Sequence, residues 1–183
     1  MLVDPCKTRP SVLDHRPTGS PPPRLLLLDE VEGDLIQMAK DGAFDLIAHG
    51  CNCFQTMNAG VALQLATQFP EIRSSDRRTI YGDRAKLGTY SSTQVYANNS
   101  ARLLTILNCY TQFRYGRPNN GQTNCDYTAI KAVMTRINTE FEGRHLGIPK
   151  IGAGLAGGKW SLIRQIIFSN TPNIRVTIVH HLQ

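Results

Sequence analysis

Long apolar stretches are missing from this chain of 183 residues: the longest is the run of four leucines Leu25–Leu28. A membrane-spanning helix needs about 18 apolar residues or more, so a soluble protein with no membrane partner is expected. Cysteines are few and irregularly placed, at Cys6, Cys51, Cys53, Cys109 and Cys125. An odd count without regular spacing argues against a disulfide framework. A reducing compartment is expected, cytoplasmic, or nuclear in a eukaryote. Cys51-x-Cys53 is too tight for structural zinc, whose cysteine pairs are spaced by roughly two to four residues, so neither metal nor cofactor is expected. No secretory leader opens the sequence and no internal repeat runs through it. The length also falls short of the ~250 residues typical of an α/β barrel. Finally, acidic residues stop at Glu142: the last 41 residues carry five basic side chains and no acid.

What is present suits one domain plus a tail. Hydrophobic residues make up 41% of the chain, enough for a packed core, and the formal net charge is +6. Residues 1–24 contribute +2, residues 25–142 contribute −1 and residues 143–183 contribute +5. A basic excess suits an anionic partner, and its position at the end of the chain points to a local field for a small anion. Residues 1–23 are rich in proline and end in Pro21-Pro22-Pro23, which favours an extended, disordered lead-in. It reads either as an extension without a role or as a proline-rich docking peptide. The domain proper is expected over 24–183.

Within the domain, apolar runs and periodicities alternate. Strands are expected at 25–31, 44–48, 89–97, 103–108, 148–151 and 174–179, and helices at 35–40, 59–69, 71–81, 127–141 and 160–168. Such alternation indicates an α/β fold, three layers deep, with helices on both faces of a central mixed sheet.

Four short motifs carry candidate chemistry. Gly152, Gly154, Gly157 and Gly158 crowd the loop between a strand and a helix, where glycines let backbone N–H groups approach a phosphate. The letters Gly152-x-Gly154-x-x-Gly157 fit a dinucleotide fingerprint, but that reading needs an acid about 20 residues on, and none exists. The Gly-Lys-Ser/Thr ending of an NTPase loop is also absent. His49 and Asn52 run off a strand end, where open α/β sheets bind ligands. Asn58-Ala-Gly-Val61 opens the next helix and offers an anion-binding N-terminus. Asp34, after Gly33, suits either an adenine amino group or the cap of the following helix.

In this order, Gly33-Asp34-Leu35, His49-Gly-Cys-Asn52, Ala59-Gly-Val-Ala62, Pro149-Lys-Ile-Gly-Ala-Gly-Leu155 and Trp160 resemble the macrodomain family of ADP-ribose-binding modules. The resemblance spans about Leu25 to Leu182 and implies the macrodomain form of the three-layer fold. It also implies that Asp34 and Leu35 serve adenine and that Asn52 serves the distal ribose. Gly60 and Val61, with Gly152, Ala153, Gly154, Leu155 and Ala156, would clasp the diphosphate, and the backbone N–H groups of Asn58, Ala59 and Gly60 would hold ribose and phosphate.

The His-x-Cys-Asn-Cys form looks most like the branch that includes ADP-ribose-1″-phosphate phosphatases. That implies metal-independent removal of the terminal phosphate, with His49 as the acid/base and Asn52 beside it. Ala62 stands where one hydrolase branch has Asp, and Ala156 stands where another has it. Lys86, before Leu87-Gly88, keeps open de-ADP-ribosylation of modified protein or nucleic acid; its other reading is a solvated surface lysine. A binding-only reader of ADP-ribose is the third reading. A monomer is expected. Aromatics interleaved on a basic patch, the mark of single-strand binders, are not legible. Tyr110, Phe113 and Tyr115 flank Arg114 and read as stacking on adenine or ribose, or as closing the pocket.

Overall fold

In the computed structural model, residues 28–97, 102–118 and 122–181 are described. The lead-in expected over 1–23, and the part of the first strand before Leu28, lie outside these residues. Six strands form one sheet: β1 (Leu28–Glu32), β2 (Leu46–Asn52), β3 (Tyr90–Tyr96), β4 (Leu103–Gln112), β5 (His145–Ile148) and β6 (Arg175–His180). Their order is β1-β6-β5-β2-β4-β3. All neighbours are parallel except β3 and β4, so the sheet is mixed.

Helices cover both faces. α1 (Leu35–Lys40), α2 (Gly60–Gln68) and α3 (Glu71–Arg77) lie on one, and α4 (Tyr127–Glu140) and α5 (Trp160–Asn170) on the other. Strands covered on both sides carry continuous apolar runs, and β2 shows why. Ile47 joins the core beneath Leu65 and Ile72, while Leu46 and Ala48 join the core beneath Ile130, Val133 and Ile163. α4 forms because Asp126 caps it through Ala129 N and because Ile130, Val133, Met134 and Ile137 fall on one face. The three-layer α/β/α architecture expected from the alternation is therefore the one observed.

Strand limits differ from expectation in a way that matters for the site. β2 runs four residues past Ala48, to Asn52, and β4 runs four past Asn108, to Gln112. The extensions pair with each other: His49 faces Asn108, Gly50 faces Cys109 and Cys51 faces Tyr110. A register shift between Cys51 and Asn52 ends the ladder. β5 occupies 145–148 rather than 148–151, because Ile151 has already turned, its N–H bonding Pro149 O at 2.6 Å. α3 ends at Arg77, where a turn led by Thr79 N to Asp76 O replaces it.

β5 tolerates no side chain at Gly147, since a Cβ there would lie 2.6 Å from the Phe44 ring. Overpacking of this kind costs about 1–3 kcal/mol. Gly147→Ala is expected to lower unfolding stability by that amount in urea titration; unchanged stability would show that Phe44 moves freely.

Candidate functional site

A cleft of about 470 Å³ opens at the carboxyl ends of the central strands. β2 supplies His49, Gly50 and Asn52; the loop into α2 and its first turn supply Thr56 and Asn58 to Ala62. Gln112, Tyr115 and Gly116 come from the end of β4 and beyond, and the loop after β5 supplies Pro149 to Gly152 with Gly154 to Ala156.

Its chemistry is that of unpaired backbone donors. α2 has no side-chain cap: Ala59 is its N-cap residue and makes no capping bond. By contrast, carboxylates cap α1 (Asp34) and α4 (Asp126). Gly60, Val61 and Ala62 therefore keep free N–H groups at the positive end of a helix dipole. In the late loop, Ala153 N bonds Lys150 O, and Gly158 N bonds Gly152 O at 2.9 Å. Those bonds leave the N–H groups of Gly152, Gly154, Leu155 and Ala156 without partners among the described residues. Gly152 must be glycine: its φ is +75°, and a Cβ would lie 3.0 Å from both Cys125 Sγ and Ile130 Cδ1. Two rows of donors thus line one cleft, which no carboxylate lines among the described residues.

Of the expected site residues, His49, Asn52, Asn58, Ala59, Gly60, Val61, Gly152, Gly154, Leu155 and Ala156 line the cleft. Lys150, within the Pro149–Leu155 motif, lines it too, as do Thr56, Gln112 and Gly116, which had no sequence signal beyond their neighbourhood. Asn52 is largely spent on its own loop. Its Oδ1 accepts from Phe54 N at 2.8 Å and its Nδ2 donates to Thr56 O at 2.8 Å.

The other expected residues are placed as follows. Asp34 is outside the cleft lining and caps α1, its Oδ1 accepting from Ile36 N and Gln37 N. Leu35 is buried in the core. Ala153 packs against the α4–α5 core and its N–H is used within the loop. Lys86 is neither a cleft residue nor a solvated one. It is 7% exposed, donates from Nζ to Thr79 Oγ1 at 2.9 Å, and sits 4.6 Å from the Tyr110 ring centroid.

His49 departs furthest from expectation. The longer β2 places it inside the sheet, 1% exposed, rather than at a strand end. Its Nε2 lies 2.8 Å from Asn108 Oδ1. Asn108 Nδ2 in turn lies 3.0 Å from Ile72 O, Ser75 Oγ and Ser91 Oγ, which fixes Oδ1 as the acceptor and Nε2 as the donor. Burial pulls the imidazole pKa down to about 4, against the opposing hydrogen bonds to Asn108 and the Gly50 backbone. The ring is held neutral at physiological pH, with Nε2 donating to Asn108.

The charge placement is also corrected. Of the five basic residues after Glu142, Arg164 pairs with Glu30 and Arg175 with Asp29. Only Lys150 of the five lines the cleft. The free N–H groups add to the positive field of Lys150 there.

No family model matches the chain. It is 34% identical over 159 residues to the uncharacterized 17.5 kDa protein of the tk–vs intergenic region of Enterobacteria phage T4, covering 84% of this chain and 96% of that one. Among solved structures it is similar to the macrodomain of Mycobacterium tuberculosis DarG, with a TM-score of 0.62 and 18% identity over 84% of this chain and 97% of that one. It is also similar to the Trypanosoma brucei macrodomain in complex with ADP-ribose, with a TM-score of 0.58 and 13% identity over 85% of this chain and 64% of that one.

The buried imidazole has a measurable consequence. An unfolded histidine titrates near 6.5 and this one near 4. Its stabilising contribution is complete above pH 6.5 and is lost as pH falls through 4, by about 3 kcal/mol in all. Urea unfolding at pH 7.5 and 5 is expected to show a stability drop of which about 2 kcal/mol disappears in His49→Gln. Equal drops in the two proteins would place the imidazole in contact with solvent.

Proposed function

We propose that this chain, which belongs to the same family as the phage T4 protein and has the macrodomain fold, binds ADP-ribose in the cleft and releases phosphate from ADP-ribose-1″-phosphate. The observation that carries the reading is the double row of N–H groups, at Gly60 to Ala62 and at Gly152 and Gly154 to Ala156, which have no partner among the described residues, in a cleft that no carboxylate among those residues lines. A diphosphate between the rows takes charge-assisted hydrogen bonds from both. The complex of the T. brucei macrodomain with ADP-ribose supports the ligand. A cleft without carboxylates also tolerates a further anionic phosphate on the distal ribose.

Hydrolysis in this reading relies on position. Phosphoryl transfer asks the protein for alignment and charge stabilisation more than for covalent chemistry. Water attacks phosphorus, the bond from phosphorus to the 1″-oxygen breaks, and the proton lost by water ends on the departing ribose hydroxyl. Asn58, exposed at the mouth of α2, and Gln112, whose Nε2 is held by Arg114 O at 2.7 Å, are placed to hold that water. His49 acts by keeping β2 and β4 in register.

De-ADP-ribosylation through Lys86 loses support, because that ammonium is held behind Tyr110 by Thr79. The binding-only reading is favoured by one observation: His49, Tyr115 and Lys150 are the titratable residues lining the cleft among the described residues.

Two measurements test the proposal. Calorimetry is expected to show ADP-ribose bound in preference to ATP, with Lys150→Ala weakening it several-fold and flattening its salt dependence; equal affinity for ATP would overturn the ligand. Phosphate release from ADP-ribose-1″-phosphate is expected, with no inflection near pH 6.5 from His49. Binding without release would leave the reader.

A further inference from the structure

Beside the cleft stands a ridge of aromatic and arginine side chains from three separate loops. Phe54, in the turn after β2, lies edge-on to Tyr81 at 5.3 Å, to Phe113 at 5.0 Å and to Tyr115 at 6.2 Å between ring centroids. The Arg84 guanidinium sits 3.9 Å from the Phe113 centroid. Tyr81 is 65% exposed and Tyr115 57% exposed. Tyr115 also lines the cleft, so ridge and cleft are continuous.

The ridge is rigidly built. Cys53 N bonds Phe113 O at 3.0 Å and Gly82 N bonds Cys53 O at 2.8 Å. Gln55 Nε2 donates to Thr79 O at 2.7 Å and lies 3.2 Å from Asp76 O. These bonds tie the loops after β2, α3 and β4 together, so the exposed rings are preorganised rather than collapsed onto the core.

Its charge is one-sided. The segments 77–84 and 113–117 carry Arg77, Arg78, Arg84, Arg114 and Arg117 against one acid, Asp83. The Asp83 carboxylate is occupied by Ala85 N. None of these arginines has a carboxylate partner among the described residues, whereas Arg102, Arg136, Arg164 and Arg175 each hold one.

We propose that this ridge is a binding platform for single-stranded nucleic acid adjoining the cleft. Exposed ring faces offer stacking surfaces to bases, and unpaired guanidinium groups offer charge to the phosphates between them. An acidic peptide would use the arginines but gain little from flat rings, and a duplex would keep its bases stacked internally. Such a strand would run toward the mouth of the cleft through Tyr115. The proposal stands whatever small ligand fills the cleft.

The test is fluorescence anisotropy with labelled oligo-dT and oligo-U of about 12 nucleotides, within the span that stacking platforms cover. A duplex of equal length and a poly-glutamate peptide serve as comparison probes, in salt from about 50 to 200 mM. Single strands are expected to bind more tightly than either comparison probe. Tyr81→Ala, at an exposed ring outside the cleft, is expected to weaken strand binding tenfold or more. Arg84→Ala is expected to reduce the salt slope by about 0.7. ADP-ribose titration of both variants should match the parent, which also reports that they are folded. Failure of the parent to bind single strands, equal binding of the duplex or peptide, or undiminished strand binding by Tyr81→Ala would each overturn the platform. Loss of ADP-ribose binding by the parent, with strand binding intact, would overturn the cleft assignment alone.

Discussion

The pairing of β2 with β4 beyond Ala48 and Asn108 is the constraint on which the cleft depends. It carries two strands four residues further than their apolar runs. That extension sets the floor of the cleft at Gly50 and Asn52 and brings Gln112 to its rim. The hydrogen bond between His49 and Asn108, 2.8 Å long and fully buried, sits at the start of the extension. A polar pair at such a place is costly unless satisfied. Asn108 meets the requirement through α3 and β3, on Ile72 O, Ser75 Oγ and Ser91 Oγ. The pair therefore links α3 and β3 to the register of two strands.

Electrostatics in this molecule divides by place. At β1 and β6, cations are neutralised: Arg175 by Asp29, and Arg164 by Glu30, which also accepts from His180. In the cleft, backbone N–H groups whose helix or loop provides no internal partner stand with Lys150. At the ridge, Arg84 lies over Phe113 without a carboxylate partner among the described residues, and Tyr81 and Tyr115 are exposed. A strip of donors followed by a strip of stacking surface suits a ligand that is anionic along its length and carries flat groups at intervals.

Much of this was legible before folding. The alternation of apolar runs identifies the three layers, the late glycines identify the second row of donors, and the absence of a capping side chain before Gly60 leaves the first row open. The strand extensions were not legible, because His49-Gly-Cys-Asn52 lacks the apolar texture of a strand and gains its structure only by pairing with residues about sixty positions away. Burial of His49 and Lys86 followed from that pairing and from the packing of Tyr110, neither of which has a local signature. The neutralisation of Arg164 and Arg175 was hidden for the same reason, since their carboxylates lie on β1 at the other end of the chain. Of the ridge only Phe113 and Tyr115 were legible, because Phe54 and Tyr81 stand far from them in sequence.

The central claim is that the free N–H groups of the α2 entrance and the late glycine loop receive the ligand's diphosphate. Backbone amide spectra recorded during titration with ADP-ribose test it most directly. The account predicts the largest shifts at Gly60, Val61, Gly152, Gly154 and Leu155, with the α4 surface around Thr135 undisturbed. Saturable shifts centred elsewhere, or none at these amides, would contradict it.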